Sequence, residues 1–227
     1  MKTIIYDLET TGLRPKADKI IELYAYDVKD KTCLHLKINP ECDIPPESTK
    51  IHGFTNMDLD KEKKFKDVTE DILDFFGEDA YLISHNNDGF DKKFLLIELY
   101  KAGIPRPTKW KFVDTLKLAR IKYPNLDNYK QGTLQNMLDI PVSGNHRANK
   151  DVLDLVKIYE HMTEGMTIKE IYKMSKNFVY DTMVFGKHAG TKLEDLPRGY
   201  IKWLENGILK EDKTLRKSFE VKKLIST

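Results

Sequence analysis

Three strand-like runs precede any helical stripe, and this ordering limits the fold more than any other feature of the chain. Thr3–Glu9 (TIIYDLE), Ile20–Val28 (IIELYAYDV) and Thr32–Ile38 (TCLHLKI) are rich in β-branched and aromatic residues. Short connections between consecutive strands favour antiparallel pairing, so the first third predicts a meander. The period then changes. Phe65, Val68, Ile72, Phe75 and Phe76 recur at helical spacing and stop at Gly77, a residue suited to a helix end. ECDIPPES (41–48) reads as a loop with paired prolines. AYLISHN (80–86) reads as a buried strand that carries His85 and Asn86 at its end. A helix from about Gly89 to Lys101 follows, halted by Gly103 and Pro105. KFVDTLKLAR (111–120) is a strand running into a helix, and HRANKDVLDLVKIYEHM (146–162) is the last long helix. The expected class is α/β, a mixed sheet flanked by helices.

A chain of 227 residues can bury one good core plus a small appendage. Its formal net charge of +2 creates no global field, so attraction to a polyanion must come from local patches. Cys33 and Cys42 are the only cysteines and form no zinc-type spacing, which points to reduced thiols. No apolar run approaches the roughly 20 residues of a membrane span, and the N-terminus enters a strand directly. The expectation is a soluble, intracellular, cytoplasmic protein.

Acidic residues at element ends carry the chemistry. Asp7 and Glu9 stand two apart on a strand, so they share a face, and Thr10-Thr11-Gly12 after them signals a loop. Asp91 opens a helix in SHNNDGFDKKFL. His146 precedes Asp151 by five residues, and the stripe Val152, Leu153, Leu155, Val156, Tyr159 puts Asp151 in a first helical turn. The small Ala148 between them lets that helix start approach another backbone. Four converging carboxylates are hard oxygen ligands that select Mg²⁺ or Mn²⁺, and a histidine beside them can take a proton from water. Asp88 and Asp114 compete with Asp91 on composition alone.

These motifs, in this order, resemble the DEDDh family of 3′→5′ exonucleases (DnaQ-like). The tyrosine variant would place Tyr four residues before the last Asp; Arg147 stands there, so the histidine branch matches. IHGFT (51–55) and VDTLKLAR (113–120) are similar to further segments of that family, and the likeness runs from Met1 to about Met162. It implies a ribonuclease H-like fold and hydrolysis of DNA from the 3′ end to nucleoside 5′-monophosphates with two Mg²⁺ or Mn²⁺ ions. It also implies that Asp7 bridges the ions, with Glu9 and Asp151 on one side and Asp91 through water on the other. Phe90-Asp91 stands where the family has Phe-Asp, which favours Asp91 over its rivals. His146 is then the general base. Leu8, Thr10 and Thr11 are expected at the terminal sugar, Leu13 against the terminal base and Arg14 at phosphate, with His52, Phe54 and Asn86 orienting the same nucleotide. An exoribonuclease trimming RNA 3′ ends and a polymerase-associated proofreading or binding subunit remain open.

Residues 163–166 read as a linker between an exonuclease domain, 1–163, and a small module, 167–227. Thr167 and Glu170 predict a capping box before Ile168, Ile171 and Tyr172. Gly186 and Gly190 bracket Lys187 and His188 in an expected hairpin turn. Pro197 opens a short helix closed by Gly207, whose Tyr200, Trp203 and Leu204 share a face expected to be core. FGK-x-x-G followed by Tyr-x-x-Trp-Leu is similar to the C-terminal module of the exonuclease X branch, and suggests DNA binding or packing. Lys187 and Lys192 are candidate phosphate contacts.

Overall fold

The meander forms, and it makes one side of a five-stranded sheet. The computed structural model describes residues 1–141 and 148–226. β1 (Lys2–Thr10), β2 (Ile20–Asp27) and β3 (Thr32–Lys37) pair antiparallel. β4 (Ala80–Ser84) and β5 (Lys111–Asp114) add in parallel, giving the order β3-β2-β1-β4-β5. β1 is therefore central, and its alternation serves two cores. Ile4, Tyr6 and Leu8 enter a cluster with Ile72, Phe76, Phe94 and Leu95 on one face. Ile5 enters a second cluster, with Ala148, Val152 and Leu155, on the other. Period two then places Asp7 and Glu9 on the Ile5 face.

Eight helices complete this part among the described residues. They are α1 (Pro46–His52), α2 (Asn56–Leu59), α3 (Thr69–Phe76), α4 (Asp91–Lys101), α5 (Thr115–Lys122), α6 (Gln131–Met137), α7 (Ala148–Thr163) and α8 (Ile168–Asn177). Two of them correct the sequence reading. The paired prolines do not simply make a loop: Pro46 opens α1, because a first-turn residue needs no N–H and proline's φ suits the helix. His52, from the IHGFT segment, ends α1, and Gly53 caps it with φ 77°. The Phe65–Phe76 stripe is also not one helix; a 3₁₀ turn, Phe65–Val68, leads into α3.

The chain divides into two compact units, Met1–Lys176 and Asn177–Thr227. That division lies beyond the 163–166 segment, so α8 belongs almost wholly to the first unit, with Ile171 buried in the second cluster. The capping box of α8 is present: the Thr167 amide donates to Glu170 Oε2 at 2.8 Å, and the Glu170 amide to Thr167 Oγ1 at 3.4 Å. The second unit contains α9 (Arg198–Asn206) and α10 (Lys213–Val221) around Met183, Leu193, Leu204, Leu215 and Phe219. Its glycine turn is a 3₁₀ turn, Gly186–His188, closed by an antiparallel bridge between Thr182 and Lys192. The face of α9 is not uniformly core: Leu204 is buried, whereas Trp203 is 58% exposed. Among the described residues no helix is long and apolar enough to cross a membrane.

Candidate active site

Carboxylates meet where the ends of β1 and α7 converge. α7 packs on the Ile5 face of the sheet, so its first turn brings Asp151 to the acids of β1. Ligand oxygens of Asp7, Glu9 and Asp151 all lie within 4.8 Å of one another. Asp91 arrives from the start of α4 and is buried, with its Oδ2 accepting a 2.6 Å hydrogen bond from Ser84 Oγ. Its Oδ1 is buried without a hydrogen-bond partner among the described residues.

The electrostatics follow from crowding. Burial pushes the Asp7 carboxyl well above its ordinary range, and Asp91, Glu9, Asp151 and Glu22 push it further the same way. Burial also pushes Asp91 up to about 7, against the stabilising bond from Ser84. Carboxylates arranged this way repel each other unless a cation lies among them. The close trio and the orphaned Asp91 oxygen therefore fit divalent-cation ligation by oxygen donors.

The two rival acids are already engaged. Asp114 Oδ1 accepts the amides of Asn86 and Leu116, each at 3.0 Å, and its Oδ2 accepts the Asp88 amide at 3.1 Å. It caps α5 while gripping the loop that leads into α4. Burial pushes its carboxyl up to about 6. Asp88 accepts from Lys92 and Lys117, each at 2.6 Å. Burial raises its pKa, but the two ammonium groups more than offset that and hold it below the usual range.

The proposed nucleotide contacts lie in several environments. Leu8 is a core residue by its side chain. Thr10 Oγ1 donates to the Gly12 carbonyl at 2.6 Å, and Thr11 Oγ1 accepts the Lys19 amide at 2.9 Å, so both hydroxyls shape the loop after β1. Leu13 on that loop is 80% exposed. Arg14 pairs with Asp18 at 3.4 Å at the surface, an exposed ion pair worth at most about 1 kcal/mol. His52 and Phe54 are buried; the Phe54 amide donates to His52 Nδ1 at 3.1 Å, and Phe54 packs with Ile21, Ile44 and Leu59. Asn86 is exposed with φ 67°. His85 turns to Thr115 Oγ1 and the Tyr129 carbonyl. His146 lies outside the described residues, as does Arg147.

Two supporting residues were not singled out from the sequence. Glu22, on β2, is buried; its Oε2 accepts the Ala148 amide at 3.2 Å and its Oε1 contacts His35 Nε2 at 2.7 Å. It fixes the start of α7, one turn before Asp151. An acid inside the otherwise apolar run IIELYAY was the available signal. Asn87 is buried, accepts from Tyr6 Oη at 2.7 Å and donates to the carbonyls of Leu82 and Val113. Nothing local in the sequence marked it.

A mixed sheet of this order, with carboxylates clustered at its central strand, defines a ribonuclease H-like fold built around an acidic centre. The chain belongs to the Exonuclease family, whose sequence profile matches residues 4–159. Among curated relatives it is 30% identical over 188 residues to 3′-5′ exonuclease DinG of Bacillus subtilis (strain 168), covering 78% of this chain and 20% of that protein. It is 36% identical over 188 residues to DNA polymerase III subunit epsilon of Rickettsia prowazekii (strain Madrid E), covering 76% of this chain and 80% of that protein. The fold matches that of exonuclease X in complex with 5′ overhanging duplex DNA at TM-score 0.59 and 22% identity, covering 76% of this chain and 99% of that one. E. coli exonuclease I in complex with a dT13 oligonucleotide matches at TM-score 0.61 and 16% identity, covering 72% of this chain and 41% of that one. A second profile, described as “Putative quorum-sensing-regulated virulence factor”, matches residues 172–210.

Proposed function

We propose that this protein is a metal-dependent 3′→5′ exodeoxyribonuclease that removes nucleoside 5′-monophosphates from DNA 3′ ends inside the cell. The convergence of Asp7, Glu9 and Asp151, with the strained Asp91 beside them, carries this reading. Relatives named as 3′-5′ exonuclease and as a polymerase III epsilon subunit support it. Asp7, Glu9, Asp91 and Asp151 would hold two divalent cations, Mg²⁺ or Mn²⁺. When bound, such ions acidify the attacking water and stabilise charge on the leaving 3′ oxygen.

The chain's own residues supply the rest. His146 takes the proton from the attacking water, since imidazole titrates nearest neutrality. Glu22 sets the helix start that aims Asp151, and Ser84 orients Asp91. The loop after β1 receives the terminal nucleotide, with exposed Leu13 against the base and Arg14 exchanging Asp18 for phosphate. Thr10, Thr11, His52 and Phe54 hold that loop and its neighbour in shape. A second reading, a proofreading subunit that works beside a polymerase, draws on the match to 80% of an epsilon subunit.

The test is digestion of matched DNA and RNA strands labelled at the 3′ end. Mononucleotide should be released from DNA with Mg²⁺ or Mn²⁺, stop with EDTA, and be absent from Asp7→Ala. Normal turnover by Asp7→Ala would sink the site assignment. Preferential release from RNA would move the substrate to RNA 3′ ends. DNA turnover that rises only when a polymerase is added would favour the proofreading reading.

A further inference from the structure

The second unit gathers its motif residues on its surface. Gly186 and Gly190 sit at φ 68° and 84°, the left-handed region that glycine adopts without strain, and so let the chain reverse. The bridge is completed by the Met183 amide donating to the Thr191 carbonyl at 2.8 Å. This turn lays the His188 ring 4.4 Å from the Tyr200 ring and brings Lys187 Nζ to 6.0 Å from the same ring centroid. Tyr200 in turn stacks on Trp203, with centroids 5.4 Å apart and planes 20° from parallel. Three rings from two segments thus form one ladder, and its last member, Trp203, faces water over more than half its surface. The unit's buried cluster is built without Trp203, whose ring rests on Tyr200 at the edge of that cluster.

Charge follows the same segments. Residues 186–192 and 198–206 carry Lys187, Lys192, Arg198 and Lys202 against a single acid, Glu205. None of these four cations is ion-paired with a described residue, while Asp181 and Glu194 are engaged by Lys222 and Glu220 by Arg216. Residues 177–227 contain ten Lys and Arg against seven Asp and Glu, whereas residues 1–176 contain 28 against 29. The positive balance of the chain therefore resides in this unit. A stacked Tyr200–Trp203 pair, with His188 tilted 53° against Tyr200 and cations without ion-pair partners around it, matches the two chemical faces of a single strand, bases for the rings and phosphates for the cations.

We propose that the second unit binds single-stranded DNA, with bases stacking on the Trp203–Tyr200–His188 ladder and phosphates on Lys187 and Lys192. The choice of DNA rests on the nuclease reading above; the stacking surface does not. The experiment uses the full chain in EDTA, which stops hydrolysis and separates the two ideas. Fluorescein-labelled dT12 is titrated by anisotropy, and unlabelled dT12 by intrinsic tryptophan emission. Trp110 is buried, so quenching on binding reports chiefly on Trp203. Trp203→Ala should weaken binding roughly 5- to 150-fold and remove the quenching, and Trp203→Phe should restore most of the affinity. Lys187→Ala with Lys192→Ala should flatten the slope of log K against log salt by about 1.4. Tyr100→Ala, an exposed aromatic on the first unit, is the control and should bind as the unmodified protein does. A Trp203→Ala protein with unchanged melting and undiminished dT12 affinity overturns the proposal, as does absence of quenching in the unmodified protein. If the protein binds dT12 this way but hydrolyses nothing with Mg²⁺, the nuclease reading fails and the stacking surface stands.

Discussion

Asp91→Asn should stabilise the metal-free protein while abolishing turnover. Asp91 is buried beside Asp7, and burial raises its pKa from 3.8 to about 7. A group whose folded pKa is raised stabilises the fold below its unfolded pKa, and that stability is lost as pH rises through the folded value. Ionised Asp91 therefore costs the folded state up to about 4 kcal/mol at pH 8. Asparagine keeps the shape and can still accept from Ser84 Oγ, but a hydroxyl bonds a neutral amide oxygen less strongly, by about 1 kcal/mol. The net gain is about 2–3 kcal/mol, or roughly 4–12 °C in Tm for a chain of this size. Thermal melts in EDTA at pH 8 should show this gap, and it should shrink steadily as pH falls through 7, closing only near pH 4, where the unfolded aspartate is protonated too. Saturating Mg²⁺ should reverse the order, since only the unmodified site gains a full set of ligands. If Asp91→Asn melts with or below the unmodified protein in EDTA at pH 8, then Asp91 is not a carboxylate held under strain for a cation.

Glu22→Ala should cost about 1–3 kcal/mol, because the Ala148 amide loses a buried acceptor, and should raise the Mg²⁺ concentration needed for half-maximal turnover; an unchanged metal requirement would show that Glu22 serves stability alone. His85 gives the opposite pH signature to Asp91. Burial lowers its pKa from 6.5 to about 4, so the stability it contributes is complete above 6.5 and falls by about 3 kcal/mol on the way to pH 4. Because the two groups oppose each other over that window, the measurement is the difference between His85→Gln and the unmodified protein across pH 4–7, and a flat difference refutes it. Lys117→Met should destabilise by about 2–4 kcal/mol at pH 7, since it leaves Asp88, which Lys117 meets at 2.6 Å, partly uncompensated beside buried Asp114; denaturant titration reads this, and a loss under 1 kcal/mol would place the compensation on Lys92.

Much of the fold was legible because it rests on local periodicity. The shared face of Asp7 and Glu9, the capping box of Thr167 and Glu170 and the long helix carrying Asp151 follow from spacings within one element, and the meander from short connections between consecutive strands. What was not legible depends on contacts between elements. Pro45-Pro46 is compatible with both a loop and a helix start, and only the packing of α1 decides. Trp203 shares a helical face with Leu204, yet the unit's core closes under Leu204 and leaves the indole outside. Glu22 and Ala148 lie far apart in the chain, so no window of sequence could link them. The same holds for Asn87, whose partners are a tyrosine on β1 and the carbonyls of two other strands. Asp91 could be preferred over Asp88 and Asp114 by resemblance; the structure adds that both rivals are occupied, one as a cap and one by lysines.

The division of the acids between β1 and α7 bears on when the protein can act during its own synthesis. The ribosome releases Asp7 and Glu9 first, with the strand that holds them, but Asp151 emerges only near the end of the first unit. Until α7 docks on the Ile5 face, the nascent chain has a pair of like charges where three carboxylates must close. A truncated product that stops before residue 148 is in the same condition, and so is a chain nicked and stripped of α7. Fragments that end before α7 therefore lack Asp151 and with it the carboxylate set proposed to hold the cations, whereas a chain cut after the first unit keeps all four acids.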